Sequence, residues 1–300
     1  MQPAVLAILV AYNSAPVLPA CLASLQAQQG VVLHVVVVDN ASPDDSAALA
    51  AAAGVQVVRS GVNEGFAKGC NRGWHAARSG AGPRFAPTHV LFVNPDVRID
   101  APGLLRELAD RLAARPDAAM VTPRLVREDG SMDLACRRDF PTFWNGLGRA
   151  SGLANCPGLR RLFGGYNLRW RNPHGSYPVP CITGAFMFCS EEFIAATGGF
   201  DERFFMYLED VELCWQARER GRAVWFFGDL TAVHAKGHAS RIASDAMLAA
   251  LFHSTRQWFD LRVFPSMGPL RRAVTRAGLW AWERLVRVRN RLRRRKSAQP

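Results

Sequence analysis

The chain lacks long apolar runs, paired cysteines and any basic residue near its start. No apolar run approaches the roughly 18 residues that a transmembrane helix needs. The seven cysteines are scattered and contain no C-x-x-C pair, which argues against a zinc site or a disulfide framework and favours a reducing compartment. No lysine or arginine precedes Arg59, so the positive region of a signal peptide is missing. These absences predict a cytoplasmic catalytic body.

The charge is distributed unevenly. The formal net charge is +12, yet eleven basic residues and a single acid, Glu283, lie between Arg271 and Lys296. The rest of the chain is nearly neutral, which argues against a nucleic-acid-binding surface. With 49% hydrophobic and 21% charged residues, the composition is that of a globular protein with a sizeable core.

The first 125 residues alternate between apolar runs and helical patterns. Apolar runs at 5–10, 35–38, 55–58 and 90–93 predict strands that are buried on both faces. Helices are predicted at 18–28, 44–53, 66–78 and 104–114, and Ser42-Pro43 is predicted to cap the second one. Such alternation predicts an α/β fold with a mostly parallel sheet flanked by helices, in which ligands bind at the carboxyl ends of the strands.

The second half of the chain is less regular. Residues 127–180 are rich in Gly, Pro, Arg and aromatics, and we interpret them as long loops over the site. Further predicted elements are a strand-like run at 183–190, a helix at 209–220 ending at Gly221, a strand at 223–227 and an amphipathic helix at 247–261. The predicted organisation is a catalytic domain over 1–240 (donor half about 1–125, acceptor half about 180–240), a packing helix at 241–264 and a basic amphipathic tail at 270–300.

Polar residues follow the first two predicted strands. Ala11-Tyr12-Asn13 follows the first strand, where a dinucleotide-dependent oxidoreductase would carry a G-x-G-x-x-G turn. Asp39 ends the second strand. It either accepts a hydrogen bond from a pyrimidine or ribose, or caps the next helix.

The segment after the third strand combines cations and glycines. Arg59 and Lys68 could meet phosphates near a helix N-terminus. Gly65, Gly69 and Gly73 recur every four residues, and close packing of the helix on the sheet explains them better than phosphate contact does.

Acidic residues mark two further positions. Asp96 in Asn94-Pro95-Asp96 is either a hard-oxygen ligand for Mg²⁺ or Mn²⁺ bridging a diphosphate, or part of an ordinary turn. Glu209 and Asp210 begin a helix, where acids suit the helix dipole, but the aromatic run at 200–207 before them favours a general base. His234 is either a metal ligand or a core histidine.

Together these segments resemble the family-2 glycosyltransferases, which have the GT-A fold, over roughly residues 4–262. The resemblance is closest to the bacterial rhamnosyltransferase-like branch, which carries Asn-Pro-Asp where other members have Asp-x-Asp. The motifs that carry it stand in the family's order: Ala11-Tyr12-Asn13, Val38-Asp39-Asn40-Ala41-Ser42, Asn63-x-Gly65-Phe66 with Asn71, Asn94-Pro95-Asp96, Thr183-Gly184-Ala185, Gly199-Phe200-Asp201-Glu202, Glu209-Asp210 and His234.

The resemblance implies roles for individual residues. Asp96 and His234 would be ligands of Mg²⁺ or Mn²⁺, and Asp210 would be the catalytic base, paired with Glu209. Gly184 and Ala185 would lie beside the donor sugar and the acceptor. The nucleotide would be bound by Ala11, Asn13, Asp39, Arg59, Asn63, Phe66 and Asn94. Because Asn94 replaces the first acid of Asp-x-Asp, we expect weak metal binding in the absence of nucleotide.

The implied reaction is an inverting transfer from a pyrimidine nucleotide sugar, with deoxythymidine diphosphate rhamnose as the leading donor. The acceptor would be a hydroxyl of a lipid-linked or cell-surface glycan precursor at the cytoplasmic face of a membrane. Alternatives are a transferase for a UDP-hexose or galactofuranose and a catalytically silent nucleotide-sugar-binding protein. The joint presence of Asp39, Asp96, Asp210 and His234 argues against the silent protein.

The basic tail has a helical pattern of its own. Trp280 and Trp282 flank an apolar stripe, and a basic face lies largely opposite, which is typical of a helix lying in a membrane surface. Alternatively, the stripe packs on the protein's own body or on a second subunit, and the final basic run is solvated. The stripe comprises Leu270, Val274, Ala277, Ala281, Leu285, Val288 and Leu292, and the basic face Arg272, Arg276, Arg287, Arg289 and Arg294.

Overall fold

The computed structural model describes residues 2–79, 85–142, 145, 165–235 and 244–297. Within them the strands are β1 Ala4–Ala11, β2 Val32–Asp39, β3 Gln56–Arg59, β4 His89–Val93, β5 Val97–Arg98, β6 Ala118–Val126, β7 Ser176–Pro178, β8 Phe186–Ser190 and β9 Ala223–His234. The helices are α1 Leu18–Gln26, α2 Ser46–Ala52, α3 Phe66–Arg78, α4 Leu104–Ala113, α5 Glu191–Thr197, α6 Glu209–Glu219, α7 Asp245–Trp258 and α8 Pro269–Ser297.

One sheet runs through the described part of the chain in the order β3-β2-β1-β4-β8-β6-β9-β5, with β7 beside β9. Strands β3, β2, β1 and β4 are parallel, as the apolar runs predicted. β8 is antiparallel to both β4 and β6, so the sheet is mixed in its second half. The α/β fold and its flanking helices are confirmed. Strand β6 was missed in the sequence, because Pro123 and Arg124 interrupt its apolar run at a register shift.

Helix α3 packs tightly on the parallel half of the sheet. A Cβ at Gly69 would stand 2.9 Å from the Val10 side chain, and one at Gly73 would stand 2.7 Å from Ile8. The packing interpretation of these two glycines is confirmed. Gly65 differs, because it precedes α3 with a φ of +85° and a Cβ there would stand 2.1 Å from the Phe205 carbonyl oxygen.

The predicted cap of α2 is wrong. The helix begins at Ser46, and the Asp44 carboxylate accepts hydrogen bonds from both the backbone N–H and the hydroxyl of that serine. The Ser42 hydroxyl instead donates to the Ala11 carbonyl and accepts from the Asn13 N–H, at 3.3 Å each. Ser42 therefore joins the tips of β1 and β2, a contact between distant residues that local spacing does not reveal.

Helices α7 and α8 form the predicted C-terminal helical extension. The Ser254 hydroxyl of α7 donates to the Met206 carbonyl at 2.7 Å, which holds the segment before α6. Arg262, just after α7, forms an ion pair with the fully buried Glu212 of α6. These contacts attach the extension to the helix that carries Glu209 and Asp210.

Helix α8 packs on α7 through the face that the sequence analysis assigned as polar. Trp282 packs edge-on against Phe252 with ring centroids 4.9 Å apart, so it does not flank a membrane-facing stripe as predicted. Arg272, Arg287 and Arg294, expected on a solvated face, donate instead to groups of the protein. The predicted apolar stripe is on the opposite side and exposed: Leu270 78%, Val274 55%, Leu285 40%, Val288 52% and Leu292 53%. The alternative that the stripe packs on the body is therefore wrong for the described residues.

Among the described residues, no helix combines the length and apolar character needed to cross a membrane.

Candidate active site

The carboxyl ends of the parallel strands meet at one edge of the sheet, and the predicted nucleotide-binding residues lie there. Asp39 is 6% exposed, and its Oδ1 accepts the Ser42 N–H at 3.3 Å. Asn13, at a φ of 54°, follows Ala11 at the tip of β1. Asp39 therefore holds the turn that follows β2, but it does not cap α2, whose first N–H is bonded by Asp44.

Asn40 fixes the loop that leads into α3. Its side-chain amide donates to the Asn63 Oδ1 and to the Gly65 carbonyl, each at 3.0 Å, and its Oδ1 accepts the Glu64 N–H at 2.9 Å. The side chain is 2% exposed. Asn63 is thus held beside Asn40 at the tip of β2.

The two candidate phosphate-binding cations differ in their environment. Lys68 forms an ion pair with Glu64 at 2.8 Å, and Glu64 is shared with Arg72. Arg59 is exposed and paired with Asp39 in the β2–β3 ladder. Its guanidinium has no hydrogen bond or ion pair within the described ranges. Of the two, Arg59 is the cation available to a phosphate.

The end of β4 and the segment before β8 are joined by a backbone hydrogen bond. Asn94 N–H donates to the Ala185 carbonyl at 3.0 Å. The preceding residue, Gly184, donates its N–H to the Asp210 Oδ2 at 2.8 Å. The segment Gly184-Ala185 therefore touches the turn that contains Asp96 on one side and the predicted base on the other.

Asp96 and His234 come together although 137 positions separate them in the sequence. Val97 pairs with His234 in the β5–β9 ladder, and the Asp96 carbonyl accepts the Ala235 N–H at 2.8 Å. The His234 Nε2 lies 3.3 Å from the Asp96 Oδ1, and its Nδ1 lies 2.9 Å from the Asp133 Oδ2. Burial alone would lower the pKa of His234, but its hydrogen bonds with Asp133 and Asp96 raise it to about 9.

These two side chains suit a divalent cation bound together with a diphosphate. An imidazole Nε2 and a carboxylate are ligands of the kind that Mn²⁺ accepts, and the Asp96 side chain is 22% exposed toward the strand edge. In the part of the chain that the structure describes, no group of three or more His, Cys, Asp or Glu is placed to hold a metal. Asp96 and His234 would supply two ligands, and the diphosphate and water would have to supply the others; weak binding in the absence of nucleotide stays a prediction.

Arg138 forms a buried ion pair with Asp210. Its Nη2 lies 2.5 Å from the Asp210 Oδ2 and also donates to the Ile182 carbonyl at 2.9 Å, while its Nη1 donates to the Tyr166 hydroxyl at 3.2 Å. Arg138 is 8% exposed. The sequence analysis missed this residue because it lies in the aperiodic segment. The only signal was a pair of arginines, Arg137-Arg138, among apolar and aromatic residues.

Glu209 and Asp210 occupy different environments. Burial, and then the adjacent charge of Asp210, raise the pKa of Glu209 from 4.5 to about 8. Its Oε2 has no hydrogen-bond partner within the described residues. At neutral pH Glu209 is therefore mainly protonated, whereas Asp210 has a cationic partner. Only Asp210 contacts Gly184.

Aromatic side chains surround this end of the cleft. The Phe66 ring stands 3.3 Å from the position that a Cβ at Gly184 would occupy, and packs edge-on against Phe200. The Asn71 side chain clamps the backbone N–H and carbonyl of Phe200 at 2.8 and 2.9 Å. Phe66 thus contacts the segment that contains Gly184. Its contact with the nucleotide stays a prediction.

A cavity of about 470 Å³ lies elsewhere, near the start of β9 and lined in part by Phe140, Val179, Arg218 and Val224. None of the predicted site residues lines it. The chemistry-bearing residues instead line the open edge of the sheet.

The chain is similar to known glycosyltransferases. Residues 6–188 match the family described as Glycosyl transferase family 2. The N-acetylglucosaminyl-diphospho-decaprenol L-rhamnosyltransferase of Mycobacterium tuberculosis (strain ATCC 25618 / H37Rv) is 28% identical over 267 residues, which cover 83% of this chain and 81% of that protein. The low-salt glycan biosynthesis hexosyltransferase Agl10 of Haloferax volcanii is 28% identical over 187 residues, which cover 62% of this chain and 54% of that protein.

A solved structure shows the same fold. The mannosyltransferase of Pyrobaculum calidifontis, in complex with GDP-Man and Mn²⁺, matches with a TM-score of 0.59 at 18% identity and covers 93% of this chain and 70% of that one. With the family match and the strand-edge site, this likeness supports one assignment. The chain belongs to glycosyl transferase family 2 and has the GT-A fold.

Proposed function

We propose that this glycosyltransferase inverts the anomeric centre of a pyrimidine nucleotide sugar and uses Asp210 as the general base. The observation that carries the proposal is the contact chain across Gly184 and Ala185. Asp210 accepts from Gly184 at 2.8 Å, and Ala185 accepts at 3.0 Å from Asn94, two residues before Asp96. The proposed base and the turn with the proposed metal ligand therefore adjoin one short backbone segment, beside which the donor sugar would lie.

The Asp210 carboxylate can accept a further hydrogen bond from a hydroxyl of the sugar acceptor. Oδ2 accepts from Arg138 and Gly184, whereas Oδ1 accepts only the Val211 N–H, at 2.8 Å. Because a carboxylate oxygen can accept two hydrogen bonds, Oδ1 has one lone pair for the acceptor hydroxyl. That hydroxyl gives its proton to Asp210 while its oxygen bonds to the anomeric carbon, and the nucleotide diphosphate leaves from the opposite face.

The leaving group carries the charge that develops in this step. When bound to Asp96 and His234, a divalent cation supplies neutralising charge to the diphosphate. Arg59 stands at the edge of the sheet beside Asp39 and adds a side-chain cation for the same group. Asp39 and the Asn63 loop, held by Asn40, form the side of the cleft for the base and the ribose.

The leading donor is deoxythymidine diphosphate rhamnose. Support comes from the mycobacterial relative, whose name specifies an L-rhamnosyltransferase and which aligns over 83% of this chain. A UDP-hexose or galactofuranose donor remains the alternative, because a few contacts in a pocket decide between sugars. The relative's name also supports a lipid-linked saccharide as acceptor.

We further propose that α8 places the enzyme on the cytoplasmic surface of an anionic membrane. Its exposed stripe from Leu270 to Leu292 is flanked by the exposed Arg271, Arg289 and Arg291. Trp280 is 59% exposed, with the Arg284 guanidinium 4.3 Å from its ring. An apolar stripe with basic flanks favours a lipid surface over a second protein copy, because each basic residue near anionic lipid contributes about 1 kcal/mol.

A donor screen tests the catalytic proposal. Purified protein with Mn²⁺ is exposed to deoxythymidine and uridine diphosphate sugars, and both thermal stabilisation and slow donor hydrolysis are measured. We expect deoxythymidine diphosphate rhamnose to give the largest stabilisation together with hydrolysis. Stabilisation without hydrolysis or transfer for every sugar would instead identify a silent binding protein.

A further inference from the structure

The buried carboxylate of Asp133 lies directly behind His234. It is 2% exposed, and its Oδ2 stands 2.9 Å from the His234 Nδ1. On the other side of the ring, Nε2 faces Asp96 at 3.3 Å. Asp133 belongs to the segment that the sequence analysis interpreted as loops, and it has no role in the mechanism above.

The position of Asp133 is fixed by the fold. Its N–H donates to the Leu125 carbonyl at 2.8 Å, and its Oδ1 accepts the Ala135 N–H at 3.1 Å at the start of a short 3₁₀ turn. β6 runs parallel to β9 with Val126 opposite Val233, one residue before His234. The chain then reverses after β6, and the bridge between Val126 and Met132 returns it beside the same histidine.

This arrangement determines which ring nitrogen of His234 points to which carboxylate. An ionised carboxylate only accepts hydrogen bonds, so His234 must place its Nδ1–H toward Asp133. Nε2 is then the ring nitrogen on the side of Asp96, where the neutral ring would offer its lone pair to a cation. In metal sites, a carboxylate behind a ligating histidine sets the ring orientation and increases the basicity of the ligand.

We infer that Asp133 is a positioning residue that orients His234 as a ligand of the divalent cation. The inference rests on the proposed function, because it takes the cation at Asp96 and His234 as given. Asp133 itself would not ligate the cation, since the His234 ring lies between Asp133 and Asp96. Its effect is therefore on metal affinity rather than on the chemistry at the sugar.

The test is Asp133→Asn, compared with Asp129→Asn as matched control. Asp129 lies in the same chain reversal between β6 and Met132, and its Oδ1 accepts the Ser131 N–H at 2.9 Å. Its side chain is exposed and has no hydrogen bond with His234 among the described residues. Mn²⁺ affinity is measured by electron paramagnetic resonance with deoxythymidine diphosphate present. We expect about 10- to 100-fold weaker Mn²⁺ binding in Asp133→Asn, no change in Asp129→Asn, and activity restored by saturating Mn²⁺.

The variant His234→Ala separates this inference from the proposed function. If His234→Ala weakens Mn²⁺ binding while Asp133→Asn leaves it unchanged, the inference is overturned and the metal site stands. If His234→Ala also leaves Mn²⁺ binding unchanged, the metal assignment itself fails. If Asp133→Asn does not fold, ¹⁵N NMR of the His234 ring in the wild-type protein tests the inference instead. The spectrum, recorded with Mg²⁺ and deoxythymidine diphosphate, shows which ring nitrogen carries the proton. Protonation on Nδ1 supports the inference, and protonation on Nε2 alone overturns it.

Discussion

Arg138 and Asp210 form an ion pair that is largely withdrawn from solvent, with 2.5 Å between Nη2 and Oδ2 and 10% exposure of each side chain. Breaking a buried pair leaves one charge without a partner. We expect Arg138→Gln to lower the free energy of unfolding by about 3–5 kcal/mol in chemical denaturation. The control is Arg106→Gln, which breaks an exposed pair with Asp110 and should cost much less. Equal losses in the two variants would contradict a special role for the buried pair.

Replacement of each acid at the start of α6 tests the assignment of the base. Asp210→Asn keeps the size but removes the proton acceptor, so transfer should fall by about 10²-fold or more. Donor affinity, measured by calorimetry, should barely change because the base faces the acceptor. Glu209→Gln should keep most of the activity, since Glu209 is mainly protonated already. Near-normal turnover of Asp210→Asn with an inactive Glu209→Gln would reverse the assignment.

The raised pKa of Glu209 predicts a pH dependence of stability. Its pKa is about 8 in the folded protein and about 4.5 when unfolded, so folding favours the protonated carboxyl. This contribution to stability is fully present below pH 4.5 and is lost as the pH rises to about 8. Relative to Glu209→Gln, wild-type protein should therefore lose thermal stability across that window. Parallel melting profiles of the two proteins between pH 5 and 8 would disprove the assignment.

Removal of the Asp96 carboxylate tests the metal assignment. Asp96→Ala should weaken both Mn²⁺ and donor binding, because the Asp96 carboxylate would hold the cation that neutralises the diphosphate. Asp100→Ala is the control, since that exposed carboxylate follows β5, whereas Asp96 precedes it, and pairs with Arg98. Binding is measured by calorimetry with and without chelator. Full activity in excess chelator would exclude the metal site at Asp96 and His234.

The exposed stripe of α8 can be tested without truncation. The double variant Val274→Glu, Val288→Glu places acids on the stripe but leaves the face that packs on α7 intact. It should fold normally and no longer sediment with anionic vesicles. Val32→Glu, at an exposed valine near the start of β2, should leave sedimentation unchanged. Wild-type binding should fade as salt rises. Failure of the wild type to bind vesicles at low salt would refute the membrane proposal.

Local patterns predicted the parallel half of the fold because its signals are short-range. Continuous apolar runs predicted β1, β2 and β4, and α3 was predicted with the observed bounds. The packing of Gly69 and Gly73 against the sheet was predicted correctly, because residues four apart in a helix lie on the same face. The predicted start of α2 was wrong because the Asp44 side chain, rather than that of Ser42, accepts the first N–H of the helix, from Ser46.

The missed residues depend on contacts between distant parts of the chain. Asp133 and Arg138 lie in a segment without periodicity, and each acquires its role from a partner about 70 to 100 residues away. On α8, helical spacing identified the stripe correctly but could not show which other face would pack on α7. Trp282 was therefore placed wrongly, since its partner Phe252 belongs to another helix.

The antiparallel direction of β8 affects how this enzyme can diversify. Because β8 runs opposite to β4, Gly184 and Ala185 reach the cleft before their strand begins rather than after it ends. The chain that leads to them passes through β7, which pairs with β9. A change of chain length before β7 can therefore alter the approach to Gly184 without shifting the pairing of β8 with β4. Exchange of this upstream segment between relatives would be a route to new acceptor preferences on an unchanged donor scaffold.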